Sequence, residues 1–472
     1  MKKYEELIVQ IQSQIENKVW SVGDKLPSLR QQAELSGMSL MTVLNAYQTL
    51  ESLGWIVSHA RSGYFVAPQI QYSEPKKLAV EIQKTEEVDI NDFIFDVLQA
   101  SKVSDMVPLG SVYPDPKLFP RAKINKSLVS AANNMSALSL SDNLPPGNEN
   151  LRRIIAQRYA AMGMNISEQE IVITAGALEA LNLSLQAVTK PGDWVVIESP
   201  TFYGALQSLQ RNNLRALSVR THPQTGIDLD ALEKACQTHS VKACWLMTNH
   251  QNPLGSSMPP EQKKKLIEIL TKYNVYLIED DVYNELYSSA RKPVPAKAFD
   301  NNGMTLHCSS FSKSLMAEYR IGWVAAGSKA LEIQKLQLMS TLSTSTPIQL
   351  ALTNYLTSRH YESHLKQLRR KLEQRKFIIW QTIRAEFPSY VNVNYSEGGY
   401  FLWIELPEHV DTMQLYHRAL ADKITIAPGA MFSTNKQFDH CFRLNASFEC
   451  TAPIVSAIKR LGELISIMLT EK

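Results

Sequence analysis

Apolar residues at Tyr4, Leu7, Ile8, Ile11 and Ile15 recur at the i, i+3, i+4 spacing of one helix face, so the chain opens with an amphipathic helix. Leu26-Pro27 interrupts that pattern, and Ser28-Leu29-Arg30-Gln31 has the residue types of a capping box that starts a second helix. Gly37 supplies the left-handed cap that ends it. Ser39 caps a third helix, whose Val43, Ala46, Tyr47 and Leu50 line one face until Gly54 closes it. Two helices joined by so short a turn form a helix-turn-helix. Trp55-Ile56-Val57 and Tyr64-Phe65-Val66 then flank His59-Ala60-Arg61-Ser62-Gly63, a hairpin with Gly63 in its turn, which completes a winged helix-turn-helix over 1–67.

The pattern changes twice more. Residues 68–105 are polar and charged (YSEPKK, QKTEEVD) and read as a linker with one short helix near Asp92–Ala100. From 106 to 472 short apolar runs (IVIT, WVVIE, CWLMT, VYLIED) alternate with helical segments, the signature of an α/β, mostly parallel sheet wrapped by helices. A smaller α+β lobe is expected over about 355–472. No internal repeat or low-complexity tract interrupts the chain.

Composition narrows the class. The chain has 472 residues, 44% hydrophobic and 20% charged, enough for about three domains and a large core without staples. No apolar run approaches the ~20 residues that span a bilayer, and MKKYEELIVQIQSQIE carries early acidic residues, unlike a secretion signal. The five cysteines form no CxxC pair and are odd in number, so a disulfide framework is not expected and a reducing cytoplasm is. No metal site is expected. A net charge of +3 is too small to argue for any partner.

On Gly23-Asp24-Lys25-Leu26-Pro27-Ser28-Leu29-Arg30, Thr42-Val43, Ala46-Tyr47, Leu50, Gly54-Trp55-Ile56 and Ser62-Gly63-Tyr64-Phe65-Val66, the first 67 residues resemble the GntR family of bacterial regulators. The resemblance implies that the third helix enters the major groove of a double-stranded DNA operator and that the wing tip reaches the minor groove. Arg30 and Ser28 would then lie at the phosphates, Ser39, Met41 and Thr42 would face the groove, and Arg61 and Gly63 would form the wing tip. Leu40 departs from the family, which often has Arg there. Residues 1–68 carry six basic and six acidic side chains, so one such head neutralises few phosphates and should bind DNA weakly alone. A winged helix used for protein contact is the bland alternative.

The body carries a second set of motifs. Lys313 lies in Ser309-Ser310-Phe311-Ser312-Lys313, with Arg320 seven residues on; an amine kept partly neutral can form a Schiff base, and the hydroxyls and arginine suit a phosphate. Ile278-Glu279-Asp280-Asp281-Val282-Tyr283 is a strand ending in carboxylates, and Asn249-His250-Gln251-Asn252-Pro253-Leu254-Gly255 is a turn after another strand. Thr174-Ala175-Gly176-Ala177 is a strand-to-helix turn whose amides suit phosphate. Glu198-Ser199-Pro200-Thr201-Phe202-Tyr203-Gly204 supplies aromatics, and Cys441-Phe442-Arg443-Leu444-Asn445 a late arginine.

Taken in this order, with Gly110 and Pro114-Asp115-Pro116, the segment from about Val107 resembles a fold-type I aminotransferase, which binds pyridoxal 5′-phosphate. That resemblance implies that Lys313 bonds the cofactor, Asp280 pairs with its pyridine nitrogen, Tyr283 and Asn252 reach the ring oxygen, and Phe202 stacks on the ring. Gly176, Ala177, Ser310, Ser312 and Arg320 would hold the phosphate, Arg443 would pair with a substrate or effector carboxylate, and Gly110 would belong to the same effector site. Asp281 competes with Asp280, and Tyr203 with Phe202; the three-residue spacing to Tyr283 favours Asp280. Two departures are visible: no tyrosine lies in Ser139–Gly147 before Leu151-Arg152, and Ala317-Glu318 replaces the usual Pro-Gly.

A GntR-type head on an aminotransferase-like body is the arrangement of the MocR subfamily. It implies a cytoplasmic, pyridoxal-phosphate-dependent DNA-binding transcriptional regulator, a homodimer that senses an amino acid or related small amine. The alternative is an active aminotransferase with a vestigial head; a third reading makes the body a dimerisation scaffold only.

Overall fold

The computed structural model describes residues 3–17, 19–21, 23–52, 55–59, 62–67, 83–85, 91–100, 105–135, 144–289, 291–358 and 360–471. The chain divides into two compact units, Met1–Leu78 and Ala79–Lys472.

In the first unit the amphipathic spacing produces the helix Lys3–Glu16, with Leu7, Ile8, Ile11 and Ile15 all buried. The capping box forms as the residue types require: the Gln31 amide donates to Ser28 Oγ at 3.3 Å, and the Ser28 amide to Gln31 Oε1 at 3.0 Å. It starts the helix Leu29–Ser36, which Gly37 ends at φ +65°. The helix Leu40–Ser52 buries Val43, Ala46, Tyr47 and Leu50 completely. Tyr47 Oη donates to the Pro27 carbonyl at 3.0 Å, tying this helix to the turn before the second one. The wing pairs Ile56–His59 with Gly63–Val66, and Lys25 bridges to Phe65 on its other edge. Gly63, expected in the turn, is instead the first residue of the returning strand, paired with His59 at φ +106°. Arg61, expected at the wing tip, and Gly54 lie outside the described residues.

In the second unit, among the described residues, nine strands form one sheet. Five run parallel in the order 215–222, 194–199, 241–246, 276–280, 305–310; they are largely buried, and 194–199, 241–246 and 276–280 lie on apolar runs of the sequence. Gly322–Ala325 is antiparallel to its two neighbours, Thr305–Ser310 and Ile171–Thr174. Within the stretch read as a linker, Gln83–Thr85 pairs antiparallel with Ala216–Ser218 at the sheet's edge, and Asn91–Ala100 is a helix. The 27-residue helix His360–Glu386 leads to a second, antiparallel sheet in the order 392–394, 401–405, 441–445, 427–428. The helix Ala452–Thr470 packs on His360–Glu386 and on Thr412–Ala421. All five cysteines are unpaired. Among the described residues no helix is long and apolar enough to cross a membrane.

Candidate functional site

Five loops meet at the carboxyl ends of the buried strands. Gly176 follows Ile171–Thr174, Phe202 follows Trp194–Ser199, Asn252 follows Val241–Leu246, Tyr283 follows Tyr276–Asp280, and Lys313 follows Thr305–Ser310. In open α/β sheets that edge is where strands end and loops converge on a ligand. Arg443 comes from the second sheet and Gly110 from the chain's approach to it.

Lys313 is buried; its Nζ donates to the Val112 carbonyl at 2.9 Å and lies 4.3 Å from the centre of the Tyr113 ring and 5.8 Å from that of Tyr283. Burial, with the nearby Arg443 charge adding to it, pulls the amine down to about 7. Asp280 ends its strand fully enclosed, and its Oδ1 has no hydrogen-bond partner among the described residues. Burial pushes its carboxyl up to about 7, and the charge of Asp281 adds to that. An unpartnered carboxylate oxygen in so dry a place is costly unless a ligand donor meets it.

Asp281 is differently occupied. It accepts from His307 Nε2 at 2.9 Å, Asn249 Nδ2 at 3.0 Å and Asn284 Nδ2 at 2.5 Å. His307 Nδ1 meets Tyr159 Oη at 2.7 Å, and Tyr159 accepts from Trp323 Nε1 at 2.9 Å. Asn249 in turn accepts from the buried Lys263 at 2.6 Å. The two neighbouring carboxylates thus differ: both oxygens of Asp281 accept from side chains of a structural network, and Asp280 keeps Oδ1 without a partner among the described residues.

The remaining residues complete the cradle. Gly176 has φ +87° at the start of the helix Ala177–Val188, and a Cβ there would lie 2.5 Å from the Arg320 guanidinium, so only glycine fits. Arg320 itself adopts φ +50° and donates to the Ala175 carbonyl at 3.2 Å, which holds its guanidinium over the helix's amino terminus. Ser312 Oγ is buried without a partner, and Ser310 Oγ accepts from the Ser312 amide at 3.4 Å. Ala177 opens the helix whose free amides point the same way. Tyr283 is buried edge-on to Tyr400 and Phe401. Phe202 packs 4.7 Å from Tyr203, over Gly204, where a Cβ would collide with its ring.

Arg443 is 1% exposed, donating to Asn252 Oδ1 at 2.7 Å and to the Gly110 carbonyl at 2.9 Å. Its guanidinium lies over Phe401 and Phe432 at 4.2 and 5.3 Å. Nε has no partner among the described residues, and both oxygens the guanidinium reaches, Asn252 Oδ1 and the Gly110 carbonyl, are neutral. Asn252 Nδ2 is likewise orphaned. Gly110 allows this approach, since a Cβ would lie 2.6 Å from the Ile426 backbone. A ligand with a ring N–H for Asp280, a phosphate for the helix start and a carbonyl carbon for the amine satisfies these groups together, as pyridoxal 5′-phosphate does.

Motif reading missed several participants. Asp281 was weighed only as a rival; His307, Tyr159 and Trp323 come from three separated segments and carry no local signal. Val112 and Tyr113, which receive the lysine, and Tyr400, whose Oη also donates to the Val112 carbonyl at 2.9 Å, lie beside motifs without belonging to them. The segment 136–143, where the missing tyrosine was sought, lies outside the described residues. Glu318, standing where the family has glycine, pairs with Arg121.

In the head, Ser39 Oγ caps the third helix by accepting from the Thr42 amide at 3.1 Å and shares a 2.8 Å hydrogen bond with Thr42 Oγ1. Leu40 and Met41, on the same turn, are 49% and 64% exposed.

Comparison with known proteins agrees with both units. The model for aminotransferase class I and II matches residues 123–453, and that for bacterial regulatory proteins of the gntR family matches residues 3–66. The HTH-type transcriptional regulator YdcR of Escherichia coli K12 is 55% identical over 465 residues, 98% of this chain and 99% of its own; YjiR of the same organism is 32% identical over the same shares. The structure of a Pyrococcus horikoshii kynurenine aminotransferase in complex with PMP aligns with a TM-score of 0.74 at 27% identity, over 80% of this chain and 95% of that one. The chain therefore belongs to the HTH-type transcriptional regulators that join a gntR-family head to a class I and II aminotransferase body, a fold that takes pyridoxal 5′-phosphate as cofactor.

Proposed function

We propose that this regulator senses an amino acid or related carboxylated amine in the cytoplasm and answers by changing how a homodimer engages a double-stranded DNA operator. Lys313 bonds the cofactor, Asp280 accepts from its pyridine nitrogen, and Tyr283 and Asn252 bind the ring oxygen. Phe202 covers the ring, and Gly176, Ala177, Ser310, Ser312 and Arg320 hold the phosphate. When bound, the cofactor would supply an electrophilic carbon at which an incoming primary amine can replace the amine of Lys313. Arg443, with the Gly110 carbonyl orienting it, takes the effector's carboxylate. Arg30, Ser28, Ser39, Met41, Thr42, Arg61 and Gly63 face DNA. The apolar side chains Leu338, Met339 and Leu342, between 48% and 82% exposed, give the body surface to bury against a second copy.

The observation that carries the effector class is the unpaired burial of Arg443. A guanidinium enclosed without an anion is expensive, and its orphan Nε marks room for one. The test is a titration of the holoprotein's visible band with amino acids and with their decarboxylated amines, followed by DNA binding and by assay for keto acid. A shift that needs the carboxylate, alters DNA binding and yields no keto acid supports sensing. Equal response to both amine classes, unaltered by Arg443→Ala, refutes the carboxylate site; robust keto-acid formation favours the enzyme.

A further inference from the structure

The first turn of the third helix is chemically unusual for a DNA-reading element. The helix Leu40–Ser52 contains no Arg and no Lys, so it lacks the side chains that grip guanine O6 and N7. Its core face, Val43, Ala46, Tyr47 and Leu50, is wholly buried, and Leu40 and Met41 lie off that face, 49% and 64% exposed. The hydroxyls beside them are partly engaged within the helix cap: Ser39 Oγ accepts from the Thr42 amide, and the two side chains share one bond at 2.8 Å, which leaves one hydroxyl proton between them. The amides of Asn45 and Gln48 line a separate cleft with Tyr4 and Thr49, toward the first helix. The largest side chains the turn presents to a major groove are therefore apolar.

We infer that Leu40 and Met41 read thymine 5-methyl groups, so that each operator half-site carries T·A pairs where a typical arginine at position 40 would select guanine. The inference rests on the DNA-binding reading above and adds the chemistry of what is read. The thymine methyl is the one apolar group a base pair displays in the major groove, and burying it against an aliphatic side chain removes both from water. Two adjacent apolar side chains held at a helix start, free of the core, match two neighbouring methyls better than any hydrogen-bonding edge.

The experiment uses full-length holoprotein and DNA duplexes enriched from a random-sequence library by repeated binding. Each thymine of an enriched duplex is then replaced singly by deoxyuridine, which removes only the methyl. We expect a loss of about fourfold in affinity at each of two thymines per half-site, the worth of one buried methyl. Leu40→Ala should erase the discrimination at one of them and Met41→Ala at the other. Leu40→Arg should shift the preference at its position from thymine to guanine. Far-UV circular dichroism checks that the helix survives; both positions are exposed, so the fold does not depend on them. If fragments are enriched but every deoxyuridine substitution is neutral, or the discrimination persists in both alanine variants, the inference is overturned while the DNA reading stands. If no fragment is enriched, the DNA reading falls and the inference with it.

Discussion

The two units of this chain keep their polarity in opposite places. In the head, among the described residues, the buried side chains are aliphatic or aromatic, from Leu7 to Val66, and the groups expected to contact DNA lie on its outside. The body encloses Asp280, Asp281, Lys313, Lys263, Lys376 and Arg443, and Asp280 and Arg443 each keep an atom without a partner among the described residues. Burying an unpaired charge costs stability, whereas an exposed one is nearly free. The head can thus be stable and still display its function, whereas the body holds its function at the expense of its own folding energy. Each of the following measurements breaks or sharpens that contrast.

The largest effect is at Lys313. Lys313→Ala should abolish the visible band of the bound cofactor altogether; a persisting band removes the lysine from its role. The same residue exposes the folding cost. Its folded value of about 7 lies below the unfolded one, so between these limits the unfolded chain holds more protons, and stability rises with pH. Below pH ~7 the penalty is fully present, roughly 5 kcal/mol by linkage. Lys313→Met should therefore raise the melting temperature of the cofactor-free protein at pH 6, with the gain shrinking toward pH 10. A lower melting temperature in the variant would mean the site is not strained.

Next is the dependence of the head on its partner copy. With six basic and six acidic residues in 1–68, a single head should hold DNA weakly, and two on one body gain through effective concentration. A 1–75 fragment should bind an enriched operator about 100-fold or more weakly than the full chain. Equal affinity would show that the head needs no second copy.

Within the body the comparison repeats over one residue. Asp280→Asn should weaken cofactor retention and leave the cofactor-free protein at least as stable, because a free buried carboxyl is removed. Asp281→Asn should unfold the protein about 3 kcal/mol more easily, since it breaks the bond to His307 and leaves that network unbalanced. Cofactor titration and denaturant unfolding separate the two, and the reverse pattern would exchange their roles.

That pair also shows where reading a sequence stops. Three-residue spacing to Tyr283 pointed to Asp280, because strand, turn and aromatic are local and their order survives in one dimension. What occupies Asp281 is mostly not local: His307 and Asn249 bond it from other segments, and Tyr159 and Trp323 back His307 from two more. Apolar runs announced the buried strands, since a strand covered on both faces has no polar alternation to hide. Gln83–Thr85 had no such signal, being three polar residues on a sheet edge. In the head the capping box at Ser28 and Gln31 and the left-handed Gly37 were readable for the same reason, each being a bond between near neighbours.

The smallest effect tests whether the head's surface and its stability can be pulled apart. Ser28 caps the second helix and is also assigned to the DNA face. Ser28→Ala leaves the Gln31 amide without its acceptor and should cost the 1–75 fragment about 1 kcal/mol. Ser28→Asp supplies a better acceptor at the positive end of the helix and should restore that stability. It also places a carboxylate beside phosphates, so DNA affinity should remain low although the fold is recovered. Thermal melting and operator titration of the two variants then move in different directions. If affinity recovers together with stability, Ser28 serves the fold alone and its place on the DNA face is wrong. If aspartate restores melting but not binding, the residue does both jobs, and the head's function sits where a single charge can remove it without disturbing the core.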